Sequence, residues 1–249
     1  MNRTQLAAVA AATLTLLGAD ATQAQTMIGG GKAAISFPIV ISQPGHYKLA
    51  GNLTVPNGST SGIHVTSPYV TIDLNGFTLG GPNVCSTQTK TCSVAGMAFG
   101  IITDPVINLT VRNGTVRGFS GTGISAGDGL RVEGVTVAHN GAGGITAGHS
   151  AFLDRVTATH NGVTWQTPAA ISVVLGSMIT NSAAIYNLGH GFKGGSLFTT
   201  SATYNNGFGI WSPNTYAVVQ QSNFSNNTQG NFSGNVHSFG NNFCGLQAC

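Results

Sequence analysis

The chain has 249 residues, of which 41% are hydrophobic, only 6% are charged and 36 are glycine. Ordinary disorder is excluded, because disordered chains are poor in apolar residues and rich in like charges. Nine basic and six acidic side chains, a net +3, leave too little charge for a broad nucleic-acid patch or an acid-rich calcium loop, and the composition points to a secreted, glycine-rich, all-β protein.

The N-terminal segment reads as a leader. Arg3 precedes an almost unbroken small-apolar run from Leu6 to Leu17, and Ala21 and Ala24 end small-residue cleavage sites. The run is shorter than the ~20 apolar residues a membrane helix needs, and no later stretch approaches that length, so no membrane insertion is expected. The reading is a signal peptide over 1–24 and one domain over 25–249, secreted or periplasmic after cleavage. Residues 25–60, with Pro38, Pro44 and Pro56, are expected to form an N-terminal cap and first coil, and 236–249 a C-terminal cap, because an open solenoid end exposes strand edges.

From Val70 onward, short β-branched runs bounded by Gly and Asn predict strands, and no window predicts an amphipathic helix of useful length. Ile63 to Ile101 spans 38 residues, with its excess between Leu79 and Ala98 around Cys85 and Cys92. In an oxidising compartment, Cys85 with Cys92 and Cys244 with Cys249 would each close a short loop as a disulfide. Neither pair has Cys-x-x-Cys spacing and no His sits at finger distance, so disulfides are expected rather than zinc at these cysteines.

Two columns then keep one register. Asn140, Asn161, Asn187, Asn205 and Asn226 follow each other at steps of 21, 26, 18 and 21. The apolar residues Ile124, Ile145, Ile171, Phe192 and Ile210, ending in Asn231, step by 21, 26, 21, 18 and 21. A unit this short cannot bury its own apolar face, so successive units must stack. The prediction is a single parallel β-helix of coils about 21 residues long and about ten rungs tall, with stacked Asn amides at a turn where Asn tolerates left-handed backbone. A second excess, Gly162 to Ala169 around Trp165, falls in the same corner as the first, three rungs or about 14 Å away.

The opening, Pro44-Gly45-His46-Tyr47-Lys48-Leu49 through Asn52-Leu53-Thr54-Val55, Gly62-Ile63 and Val70 to Leu79, resembles the start of bacterial secreted right-handed parallel β-helix repeat proteins of the pectate-lyase-like fold. The Asn column resembles the asparagine ladder of that fold. The resemblance implies a right-handed helix, and it admits lyases, hydrolases and binding proteins alike. Galacturonan hydrolases of the fold carry a Gly-His-Gly motif with clustered aspartates. Gly189-His190-Gly191 matches the first part, but Gly207-Phe208-Gly209 shows the pattern to belong to the repeat. Pectate lyases of the fold use acidic calcium ligands and an Arg or Lys base.

After the leader the acidic residues are Asp73, Asp104, Asp128, Glu133 and Asp154. Arg112, Glu133 and Asp154 fall in one column at steps of 21, opposite in parity to Val111, Val132 and Leu153, so they should face outward. Adjacent carboxylates raise each other's proton affinity, so Glu133 and Asp154 are the candidate catalytic pair, or the holders of a Ca2+ ion, with Arg155 neutralising an anionic sugar. Arg112, Arg117 and Trp165 are the candidate substrate-binding residues. The plainer reading of this column is a self-compensating surface ladder. His139, His160, Tyr186 and Tyr204 form another column, expected to turn inward beside the Asn residues. The functional expectation is a protein that binds an acidic polysaccharide, with lyase-type cleavage left open; the alternative is a non-enzymatic extracellular or envelope scaffold or adhesion protein.

Overall fold

The computed structural model describes residues 25–30, 34–93, 96–105, 107–162, 169–245 and 247–248. The expected leader, Trp165 and Cys249 lie outside the described residues. The described chain is all-β without a helix, a single parallel β-solenoid of about nine turns.

Each turn contributes one short strand to each of three faces. Face one runs from Ile39–Ile41 through Ile63–Val65, Ile101–Thr103, Thr122–Ala126, Gly143–Ala147, Ala169–Ser172 and His190–Lys193 to the start of Ile210–Gln220 and of Phe232–Ser238. Face two stacks Thr26–Ile28, Gly45–Leu49, Val70–Asp73, the first halves of Thr110–Arg117 and Arg131–Ala138, Phe152–Asp154, Met178–Thr180 and Gly195–Phe198. Face three stacks Thr78–Gly80, the second halves of the two long strands, Thr157–Thr159, Ala183–Ile185, Ser201–Thr203 and Asn223–Ser225. Within 25–60 the strands Thr26–Ile28, Ile39–Ile41, Gly45–Leu49 and Leu53–Thr54 pair in parallel with the next coil or with each other, and antiparallel Gln247–Ala248 pairs with Phe243–Cys244 at the other end of face three.

The period-two alternation of each strand fills the interior with one apolar column per face. Ile63, Ile101, Ile124, Ile145, Ile171, Phe192 and Ile210 are fully buried on face one, and Val111, Val132, Leu153, Ile179 and Leu197 on face two. At the corner after face three, Asn140, Asn161, Asn187 and Asn205 are completely buried. Each donates from Nδ2 to the Oδ1 of the next, at 2.9 to 3.1 Å, and the series ends on Asn227. Each Oδ1 also accepts the backbone N–H of the Asn one rung below.

Two expectations shift by one residue here. The last Asn of the series is Asn227, not Asn226, and the face-one column continues at Phe232, not Asn231. Both errors have one cause: the 18-residue coil from Asn187 to Asn205 is followed by one of 22 residues, because the chain bulges at Pro213–Tyr216 between Ser212 and Ala217. Nor do the ladder Asn residues hold the left-handed backbone. That conformation belongs to the residue before each: His139, His160, Tyr186, Tyr204 and Asn226, with φ between 52 and 56°.

Candidate functional site

The left-handed residue decides what the corner shows to solvent. A single positive φ inserted into a strand breaks the in-out alternation, so the side chain before each buried Asn points outward. The column His139–His160–Tyr186–Tyr204 is therefore external, contrary to the inward packing expected from parity. Its rings stack at centroid separations of 5.0, 5.6 and 5.0 Å, with interplanar angles between 19 and 32°. Tyr186 and Tyr204 are 42% and 50% exposed. Burial holds the His139 imidazole below its ordinary pKa, against an opposing backbone contact at Cys85, with the positive fields of His160 and Arg117 adding to the lowering. Stacking uses the ring faces, so the solvent-facing surface is a row of edges bearing imidazole nitrogens and phenol hydroxyls.

A second ring cluster lies across the corner, at the start of face one. His190 stacks on Phe208 and on Trp211, at 5.5 and 5.0 Å, and the Lys193 ammonium lies 5.5 Å from the Trp211 centroid. The Phe208 N–H donates to His190 Nδ1 at 2.9 Å, which requires that nitrogen to be unprotonated, and burial lowers the pKa of the ring in the same sense. The sequence reading missed Lys193 and Trp211. Their signal was present, since each follows an inward column residue, Phe192 and Ile210, and so has outward parity.

Both insertions leave this same corner. The excess after Gly80 folds as a hairpin, Cys85–Ser86 against Thr91–Cys92, closed by a Cys85–Cys92 disulfide. Its stem is held against the wall, while the tip from Gln88 to Thr91 is exposed. Buried Asn83 donates to the carbonyls of Phe119 and His139 at 3.3 and 2.9 Å, and Cys85 meets His139 Nδ1 through its backbone. A Cβ on Gly162 would stand 2.7 Å from Cys92 Sγ, so the hairpin reaches the root of the 163–168 segment. The 14 Å gap expected between the two insertions is thus spanned.

The charged column is on face two, in the expected register of Arg112, Glu133 and Asp154. Its charges are consumed locally. Arg112 Nε donates to Asp73 at 3.2 Å, Arg131 pairs with Glu133 while its guanidinium lies over Phe152, and Arg155 pairs with Asp154. Asp154 is 9% exposed and accepts from Thr180 Oγ1 and Asn181 Nδ2 at 2.8 Å each. Those bonds, Asn181 first, hold its carboxyl below the ordinary carboxylate range. Asp104 and Asp128 pair with His64 and His149, so every carboxylate among the described residues has a cationic or imidazole partner. Arg117 sits apart, on face three beside the hairpin, exposed and outside any ion pair among the described residues. Lys193 is likewise unpaired there. No group of His, Cys, Asp and Glu side chains among the described residues is arranged to hold a metal ion.

No protein family and no curated protein matches the chain. Among solved structures it is similar to the Dettilon tailspike protein, with 13% identity and a TM-score of 0.49, covering 82% of this chain and 48% of that one. It is also similar to tailspike protein 2 of the Escherichia coli O157:H7 bacteriophage CAB120, with 15% identity and a TM-score of 0.31 over 84% of this chain and 38% of that one. The chain therefore spans about half the length of the first and less of the second, and likenesses at this level carry no argument about what it binds.

Proposed function

We propose that the protein is secreted and binds an extended acidic polysaccharide along the corner between faces three and one, without cutting it through the Glu133–Asp154 column. The observation that supports this most is the coincidence at one corner of two outward ring clusters, both insertions and two unpaired cations, Arg117 and Lys193. Rungs repeat at about 4.8 Å, close to the length of one sugar residue in an extended chain, so successive ring edges can each meet one sugar. Stacked Tyr and His rings are already immobilised, and little rotamer entropy is lost when they bind. The unpaired charges at the corner are cationic, which favours uronate carboxylates over neutral sugars. Asp154, held ionised by Asn181, Thr180 and Arg155, is a poor proton donor at neutral pH.

The test is affinity electrophoresis or calorimetry against pectate, alginate and a neutral glucan. Arg117→Ala/Tyr186→Ala is expected to weaken binding of an acidic polymer by roughly tenfold or more. Arg112→Ala/Arg155→Ala, on face two, is expected to leave it unchanged. Equal retention by all three polymers, or loss only in the face-two variant, would overturn this assignment and favour a scaffold or the charged strand.

A further inference from the structure

The ring column is closed at one end and open at the other. One rung below His139 the equivalent position is Gly118, left-handed like the rest of the column with φ 74°. A side chain cannot stand there. Its Cβ would lie 2.2 Å from the carbonyl oxygen of Gly81 and 3.2 Å from that of Asn83, because the stem of the disulfide hairpin crosses this point. The stem is fixed: the Asn83 N–H donates to Gly118 O at 2.7 Å, its buried side chain bonds two carbonyls of the wall, and the Cys85 backbone holds the edge of His139. At the other end Tyr204 is half exposed, and the next position is exposed Asn226, which has no ring.

We infer that this column, taken as the polysaccharide site proposed above, receives the end of an acidic glycan chain rather than its middle. The hairpin stem is the stop. Arg117 precedes Gly118 in the chain and so stands beside the stop, where it would take the carboxylate of the terminal uronate. From His139 to Tyr204 the column covers three rung steps, about 14 Å, room for about three or four sugars. A polymer crossing an unblocked column would offer one more binding register with every added residue, so its affinity per chain would keep rising with length; a chain end pressed against a stop offers a single register whatever the length.

The experiment is titration calorimetry with galacturonate oligomers from dimer to heptamer and with long polygalacturonate, all at equal molar concentration of chains. Affinity is expected to rise up to about the tetramer and then to level, with long chains binding no more tightly per chain than the tetramer. A variant with residues 82–93, stem residue Asn83 included, replaced by Gly-Gly, its folding verified by circular dichroism, should lose that plateau and bind long chains more tightly than short ones. Asn83→Ala, which keeps the disulfide, should weaken the plateau in the same direction. Affinity that keeps growing with chain length in the natural protein would overturn the end-reading while leaving polysaccharide binding intact. Failure of every oligomer and polymer to bind would overturn both.

Discussion

His160 and Asn161 are neighbours in the chain and opposites in the structure. Asn161 is fully buried, its side chain donating to Val137 O and Asn187 Oδ1 and accepting from Asn140. His160 stands outside the same corner, stacked between His139 and Tyr186. Two ladders thus climb the same rungs on the two sides of one wall. The inner one satisfies backbone groups that the corner would otherwise bury unpaired; the outer one, apart from the Cys85 backbone held by His139, satisfies none and faces solvent. One left-handed residue per turn separates them.

The largest expected effect comes from breaking the inner ladder. Asn161→Leu removes two donated bonds and leaves the Asn140 N–H, the Val137 carbonyl and the neighbouring amides unpaired in the interior, so it should cost about 3 kcal/mol of unfolding free energy. Denaturant unfolding is the measurement, and a loss near zero would show that the wall does not depend on these amides.

A change of pH probes the two ring clusters. Burial keeps His139 and His190 below their ordinary value of 6.5, so the unfolded chain takes up protons first as the pH falls. Stability should therefore decline as the pH drops through 6.5 toward the folded values, and the decline should be shallower in His139→Gln/His190→Gln. Asp154 acts in a lower window. Its depressed pKa contributes stability above the ordinary 3.8 that is lost as the pH falls through the folded value. Thermal unfolding across this range separates the two, and a pH-independent midpoint between neutrality and the carboxylate range would contradict the burial of the imidazoles.

The smallest effect belongs to the outer ladder. Tyr204→Ala removes a half-exposed ring at the open end and should change unfolding free energy by no more than about 0.5 kcal/mol. A loss approaching that of Asn161→Leu would mean the rings are structural, and would erase the contrast between the two sides of the wall.

Much of this wall could be read before the structure was known. The buried residues Ile124, Ile145 and Ile171 recur in step with Asn140, Asn161 and Asn187 because each stacked turn must return its apolar and amide groups to the same place, whatever the length of the loop between them. The spacing of Cys85 and Cys92 also announced a short closed loop. The register of Arg112, Glu133 and Asp154 was legible in the same way, but their partners were not. Register says which backbones are neighbours; long flexible side chains then choose among several neighbours, and Arg112 chose Asp73 rather than Glu133.

What the sequence by itself determined was the repeating wall: the parallel solenoid, its core columns and the position of its Asn corner. Those follow from a period that every turn must obey to bury its apolar face. Tertiary structure alone decided which side of the wall His139, His160, Tyr186 and Tyr204 occupy, and where the Cys85–Cys92 hairpin lies. The physical reason is that alternation predicts side only while the backbone stays extended. One residue at φ near 55° reverses it, and a hairpin without a period of its own settles wherever Asn83 and Cys85 find their hydrogen bonds.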